Sequence, residues 1–219
     1  MNKILTLLSA LVVAGATHFY AAAQEVKGSA LAAEKKVAMC TGCHGILGYH
    51  TGFPEVHQVP KISGQGEMYI LAALHAYKAG ERKHPSMSGV ASTLSEQDMA
   101  DVAAYYAHNG PARPVPEKAA PGPARAMALV EKGGCTTCHG ASFSQPINPT
   151  FPKLAGQHSD YLYVALKAYK TEGVRQIGRA HPVMGGVAKQ FTNDELKELA
   201  NYIGSLPGEL QTVQQSRFR

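Results

Sequence analysis

The chain has 219 residues, with 21 Lys and Arg against 16 Asp and Glu, for a formal charge of +5. That length exceeds one minimal domain and suits two small ones. The basic residues are scattered, with no run interleaved with aromatics, which argues against nucleic acid as a partner.

Residues 1–23 begin with Lys3 nearby, run apolar from Ile4 to Ala16 and end in small residues, with Ala21 and Ala23 placed before a cut. This is the layout of a secretory signal peptide, and the apolar run is too short to span a bilayer. The mature protein is therefore expected in the periplasm, cleaved near Ala23. Residues 30–39 are alanine-rich, lack Pro and Gly, and predict a helix leading into CTGCH at 40–44. After PKISGQ at 60–65, Ile70, Leu74 and Tyr77 recur at helical spacing. RKHPSMSG at 82–89 has neither a helical nor a strand period and reads as a loop. Ser95 and Asp98 form a capping-box pattern at the start of a helix whose buried stripe is Met99, Val102, Ala103 and Tyr106.

The stretch NGPARPVPEKAAPGPA, residues 109–124, holds five prolines and predicts an extended, semi-rigid linker. The same order then returns. Residues 124–132 predict a helix before CTTCH at 135–139; PKLAGQ at 152–157 precedes Leu162, Leu166 and Tyr169; RAHPVMGG occupies 179–186. Thr192 and Glu195 cap a last helix with the stripe Leu196, Leu199, Ala200 and Ile203. A shift of 95 residues superposes the Cys-x-x-Cys-His motifs, 92 the Pro-Lys motifs and 97 the His-Pro-x-Met motifs. An internal duplication decides the architecture. The expectation is all-α, with a first domain over 24–110, a linker over 111–123 and a second domain over 124–219, ending in a mobile tail, GELQTVQQSRFR. Strand alternation is absent.

Four cysteines in two pairs admit a disulfide framework, a thioredoxin-like couple or a zinc knuckle. None of these explains the histidine that follows both times. Cys-x-x-Cys-His is the attachment signature of c-type haem. Cys40, Cys43, Cys135 and Cys138 would form thioethers to two haems, and His44 and His139 would each supply one axial nitrogen. A ligating histidine usually donates its other ring N–H to a carbonyl, for which Pro60 and Pro152 are candidates. A covalent haem also fills the thin core of a ninety-residue domain without tryptophan.

The duplication filters the sixth ligand. Met39 falls opposite Gly134, Met68 opposite Asp160 and Met99 opposite Leu196, leaving Met87 and Met184 as the recurring pair. Among histidines only His84 and His181 recur. A thioether favours Fe(II) and raises the potential, whereas a second imidazole lowers it. The residue before proline is biased to an extended backbone, which restricts His84 and His181 without excluding them. Chemistry favours methionine.

Taken together, CxxCHG, P-K-[IL]-x-G-Q, A-Y-K, G-x-R, P-x-M and a capped C-terminal helix, all twice over, resemble the dihaem cytochrome c4 family of bacterial class I cytochromes. The resemblance implies Met87 and Met184 as sixth ligands and two domains each similar to a monohaem cytochrome c. It also implies propionates facing across a pseudo-twofold interface, with Arg82 and Arg175 near them. Its partners would be redox proteins: a quinol-oxidising complex or dehydrogenase as donor, and a terminal oxidase or reductase as acceptor. Contact with the membrane surface would be peripheral at most. An electron-accepting subunit of a dehydrogenase complex and a dihaem peroxidase are the competing readings.

Overall fold

In the computed structural model of the chain, residues 26–110 and 112–214 are described, so the expected signal peptide lies outside the described residues. The first half holds α1 (Ala30–Ala33), α2 (Ala38–His44), β1 (His50–Thr51), β2 (His57–Gln58), α3 (Glu67–Ala79), β3 (Arg82–Lys83), α4 (Pro85–Ser92) and α5 (Glu96–His108). The second holds α6 (Ala124–Lys132), α7 (Cys135–His139), α8 (Ser159–Lys170), β4 (Gly178–Arg179), α9 (Pro182–Ala188) and α10 (Asn193–Ser205). Helices build both halves, as expected. The four two-residue strands were not anticipated, because a pair of residues carries no readable alternation.

The longest helices form where local chemistry is explicit. Ser95 and Thr192 each cap with a full reciprocal box, to Asp98 and Glu195. All eight expected stripe residues on α5 and α10 are buried. The α5 stripe packs with Ile70 and Leu74 of α3, and the α10 stripe with Leu162 of α8. Each half thus has its own apolar cluster. The predicted helix over 30–39 is interrupted by turns at 34–37 between α1 and α2. In the second half the break before the cysteines follows from Gly134, at φ 58, in the left-handed region that glycine tolerates.

Asp101 ties the first half together. It is 1% exposed and accepts from Ser29 N–H, Lys36 Nζ and Gln97 Nε2, each at 2.8 Å. Burial pushes its carboxyl up, but the Lys36, Gln97 and Ser29 bonds outweigh this and hold it below the usual aspartate value. A carboxyl depressed in the folded state adds stability above its unfolded pKa and loses it as pH falls through the folded pKa. Asp101→Asn should therefore destabilise the protein by about 2 kcal/mol at neutral pH and by less in acid. Thermal melts at both pH values check this.

The Pro-rich segment contains no helix and lies along the second half. Ala119 N–H donates to Ala141 O, and Ala120 O accepts from Tyr202 Oη at 2.8 Å. The described part of the C-terminal segment, through residue 214, differs from the expected mobile tail. Leu210 is 2% exposed, Gln211 N–H donates to Ser63 O at 2.9 Å, and Lys153 pairs with Glu209. The chain thus returns across the first half, and a Cβ on Gly64 (φ 81) would stand 2.6 Å from the Glu209 carbonyl oxygen. A segment docked on another domain needs no internal period, which is why its pattern looked featureless.

Candidate haem sites

Helix α2 carries Cys40, Cys43 and His44, and α7 carries Cys135, Cys138 and His139. Helical spacing puts the cysteines of each pair on one face with the histidine one residue on. None of the four is in a disulfide. Burial pushes the Cys40 thiol up to about 11 and raises Cys135 as well, the opposite of the depression a thioredoxin-like nucleophile needs. Among the described residues, no three His, Cys, Asp or Glu side chains converge as a metal-ion site, so a zinc knuckle does not fit.

His44 Nδ1 lies 2.8 Å from Pro60 O, and His139 Nδ1 lies 3.2 Å from Pro152 O. Each ring therefore donates from Nδ1 and leaves Nε2 for a ligand. Burial lowers both histidine pKa values, against the raising effect of the proline carbonyls, and keeps the imidazoles neutral as ligation requires.

Met87 and Met184 do not sit in a loop. Each occupies the first turn of a short helix, α4 or α9, that begins with proline. His84 and His181 are the N-caps, with extended backbones (φ −161 and −135) that the following proline favours. His181 Nδ1 accepts the Met184 N–H at 3.3 Å. His84 instead lies with Nε2 3.3 Å from Phe53 O and its ring edge-on to Phe53. Met87 packs on the same apolar cluster as Cys40, with Ile62, Leu71 and Tyr105. His84 and His181 lie near enough to His44 and His139 to help lower their pKa values, so each His-Pro-x-Met segment neighbours the Cys-x-x-Cys-His histidine of its own half.

Between the halves, β3 and β4 pair antiparallel with Arg82 opposite Arg179. Like charges directly opposite are unfavourable, and neither guanidinium meets a carboxylate among the described residues. Both donate to Tyr161 Oη, at 2.6 and 3.0 Å, and Arg82 also donates to Tyr69 Oη at 3.0 Å. The guanidinium of Arg82 lies 4.7 Å from the Tyr77 ring centroid, and that of Arg179 5.3 Å from Tyr169. Burial pushes the Tyr161 hydroxyl up, but Arg179 and Arg82 more than reverse this and bring it down to about 8. At Tyr69 burial wins and the pKa rises.

The residues fit a haem. Buried Arg82 Nε, His84 Nδ1 and Tyr106 Oη have no partner among the described residues. Arg82 and His84 help lower the pKa of His44, and Tyr106 belongs to the apolar cluster on which Cys40 packs. An apolar wall with orphaned polar atoms and surplus positive charge beside it suits an apolar macrocycle with carboxylate substituents.

The cytochrome c family profile matches residues 25–109 and again 123–207. Cytochrome c4 of Pseudomonas aeruginosa is 34% identical over 212 residues, covering 94% of this chain and 100% of its own. The thiosulfate dehydrogenase electron acceptor of Thiomonas intermedia is 32% identical over 184 residues, covering 80% and 82%. The crystal structure of reduced recombinant cytochrome c4 from Pseudomonas stutzeri superposes with a TM-score of 0.60 at 32% identity, over 82% of this chain and 100% of that one. The chain belongs to the cytochrome c4 family. It is accordingly an electron-transfer protein of two cytochrome c domains with two covalently bound haem c groups.

As a cytochrome c4 relative it departs from the sequence expectation at one arginine. Arg175 is exposed, and the partner of Arg82 is Arg179. The Gly-x-Arg match pointed to Arg175, whereas the 97-residue shift that superposes the His-Pro-x-Met motifs also superposes Arg82 on Arg179. That signal was present in the repeat.

Proposed function

We propose that the protein is a periplasmic carrier of single electrons, with haem 1 attached at Cys40 and Cys43 between His44 and Met87, and haem 2 attached at Cys135 and Cys138 between His139 and Met184. The supporting observation is the repeated pairing of an axial histidine fixed by a proline carbonyl with a methionine in the first turn of a proline-capped helix. When bound, each haem supplies a one-electron Fe(III)/Fe(II) couple. The chain's own residues do the rest. His44 and His139, held neutral and oriented, define one axial face, while Met87 and Met184 offer a soft neutral donor that favours Fe(II). Arg82 and Arg179, which face each other without a carboxylate among the described residues, would take the haem propionates as counter-charges.

Because each half offers both a histidine and a methionine as candidate iron ligands, the carrier is preferred over a peroxidase, which would need one of them to be absent. The proposed donor is a quinol-oxidising complex or dehydrogenase and the acceptor a terminal oxidase or reductase. No helix among the described residues is long and apolar enough to cross a membrane. A second reading, an electron-accepting subunit of a dehydrogenase complex, draws on the shorter match to the Thiomonas intermedia protein, 32% identical over 80% of this chain. Co-purification from the native host separates the two.

The test of the carrier is an absorption spectrum of the oxidised holoprotein with a redox titration. Two low-spin haems with a methionine–Fe(III) charge-transfer band, both titrating at positive potential, are expected. High-spin iron with peroxide turnover would overturn the assignment.

A further inference from the structure

The repeated Pro-Lys-x-x-Gly-Gln motif holds a glutamine that neither haem attachment nor axial ligation uses. Gln65 is 3% exposed and Gln157 is 5% exposed. Neither serves chiefly its own half. Gln157 Oε1 accepts the Lys61 N–H at 3.0 Å while its Nε2 donates to Lys61 O at 2.9 Å. Gln65 does the same in reverse, accepting the Lys153 N–H at 2.9 Å and donating to Lys153 O at 3.0 Å. Backbone donors and acceptors have fixed identities, so the orientation of both side-chain amides is determined.

The lysine N–H in each contact belongs to the same peptide group as the preceding proline carbonyl. The Pro60–Lys61 peptide accepts from His44 Nδ1 on one side and donates to Gln157 on the other. The Pro152–Lys153 peptide accepts from His139 Nδ1 and donates to Gln65. A peptide whose N–H is engaged becomes a better acceptor at its oxygen, because hydrogen bonds in a chain polarise one another. A stronger Nδ1–H···O bond makes the imidazole a more basic ligand, which favours Fe(III).

We propose that Gln157 and Gln65 are crossed positioning residues, each setting the electron donation of the axial histidine in the opposite half through a single shared peptide group. This rests on the reading that His44 and His139 ligate the haem irons. Each potential is thereby tied to the docking of the other domain, since separating the halves withdraws both glutamines together.

The test uses the dihaem holoprotein with Gln157→Leu, which removes the amide while keeping an apolar side chain. Haem 1 should become easier to reduce, with about a threefold fall in its oxidised-to-reduced ratio at fixed solution potential. The His44 Nδ1–H resonance of the reduced protein should move to lower frequency while that of His139 stays. Gln65→Leu should give the mirror image at haem 2 and His139. Gln157→Glu keeps an acceptor oxygen for the Lys61 N–H and should restore the His44 resonance; a purely structural role, lost with the Nε2 contact, would leave it as displaced as in the leucine variant. A shift confined to the haem of the mutated half, equal shifts at both haems, no shift at all, or failure of glutamate to rescue would each overturn the proposal. Failure of the underlying ligation reading is distinct: the unmutated protein would then lack two histidine-ligated low-spin haems.

Discussion

Met87→Leu is expected to lower the potential of haem 1 by on the order of 0.2 V, within the roughly 0.8 V that axial ligation spans. A thioether stabilises Fe(II) because it is soft and neutral. Leucine has nearly the same volume, so the packing of residue 87 against the apolar cluster of the first half survives while the donor atom goes. The methionine–Fe(III) band of haem 1 should vanish and that of haem 2 should remain. The same variant decides between Met87 and His84. His84 has a buried Nδ1 without a partner among the described residues, so it is the nearby imidazole available as a rival ligand. If His84 were the ligand, Met87→Leu would leave both the potential and the spectrum of haem 1 unchanged. In the second half the rivalry is weaker, because His181 Nδ1 is engaged by the Met184 N–H. Met184→Leu should reproduce the effect at haem 2.

The second large effect is expected at the arginine pair. If Arg82 holds a propionate as proposed, Arg82→Leu should destabilise the holoprotein by about 3–5 kcal/mol, the cost of leaving a buried charge without its partner. Arg179→Leu should cost a similar amount, and Arg175→Leu, on an exposed residue, should stay within about 0.5 kcal/mol. Chemical denaturation of the three variants, followed by haem absorbance, makes the comparison. Removing a positive charge also stabilises Fe(III), so the two interface variants should lower the haem potentials. A loss below about 1 kcal/mol at Arg82 would match a solvent-screened arginine and remove the propionate assignment.

What could be read in the sequence was local or repeated. The capping boxes at Ser95 and Thr192 involve residues three apart, and the structure forms both. The proline carbonyls at Pro60 and Pro152 were foreseeable because the motif occurs twice and a ligating histidine needs an acceptor. Features that depend on contact between the halves left no local trace. Gln65 meets Lys153 across 88 residues, and Gln211 meets the Ser63 carbonyl with no periodicity to announce it. His84 and His181 were singled out by recurrence, yet their shared place as helix N-caps emerged only with α4 and α9, since histidine is not a usual capping residue. Arg179 was missed because a three-residue motif match outweighed a longer register that was equally visible.

The two-residue ribbon of β3 and β4 takes one strand from each copy of the duplication. Neither copy can complete it alone; a single copy would also turn its glutamine toward water, and the first would lose the Tyr161 hydroxyl from Arg82, which Arg179 keeps within its own half. Because each half holds part of the other's framework, the two repeats do not vary independently: a change at Gln65 or Gln157 is felt on the opposite side of the duplication.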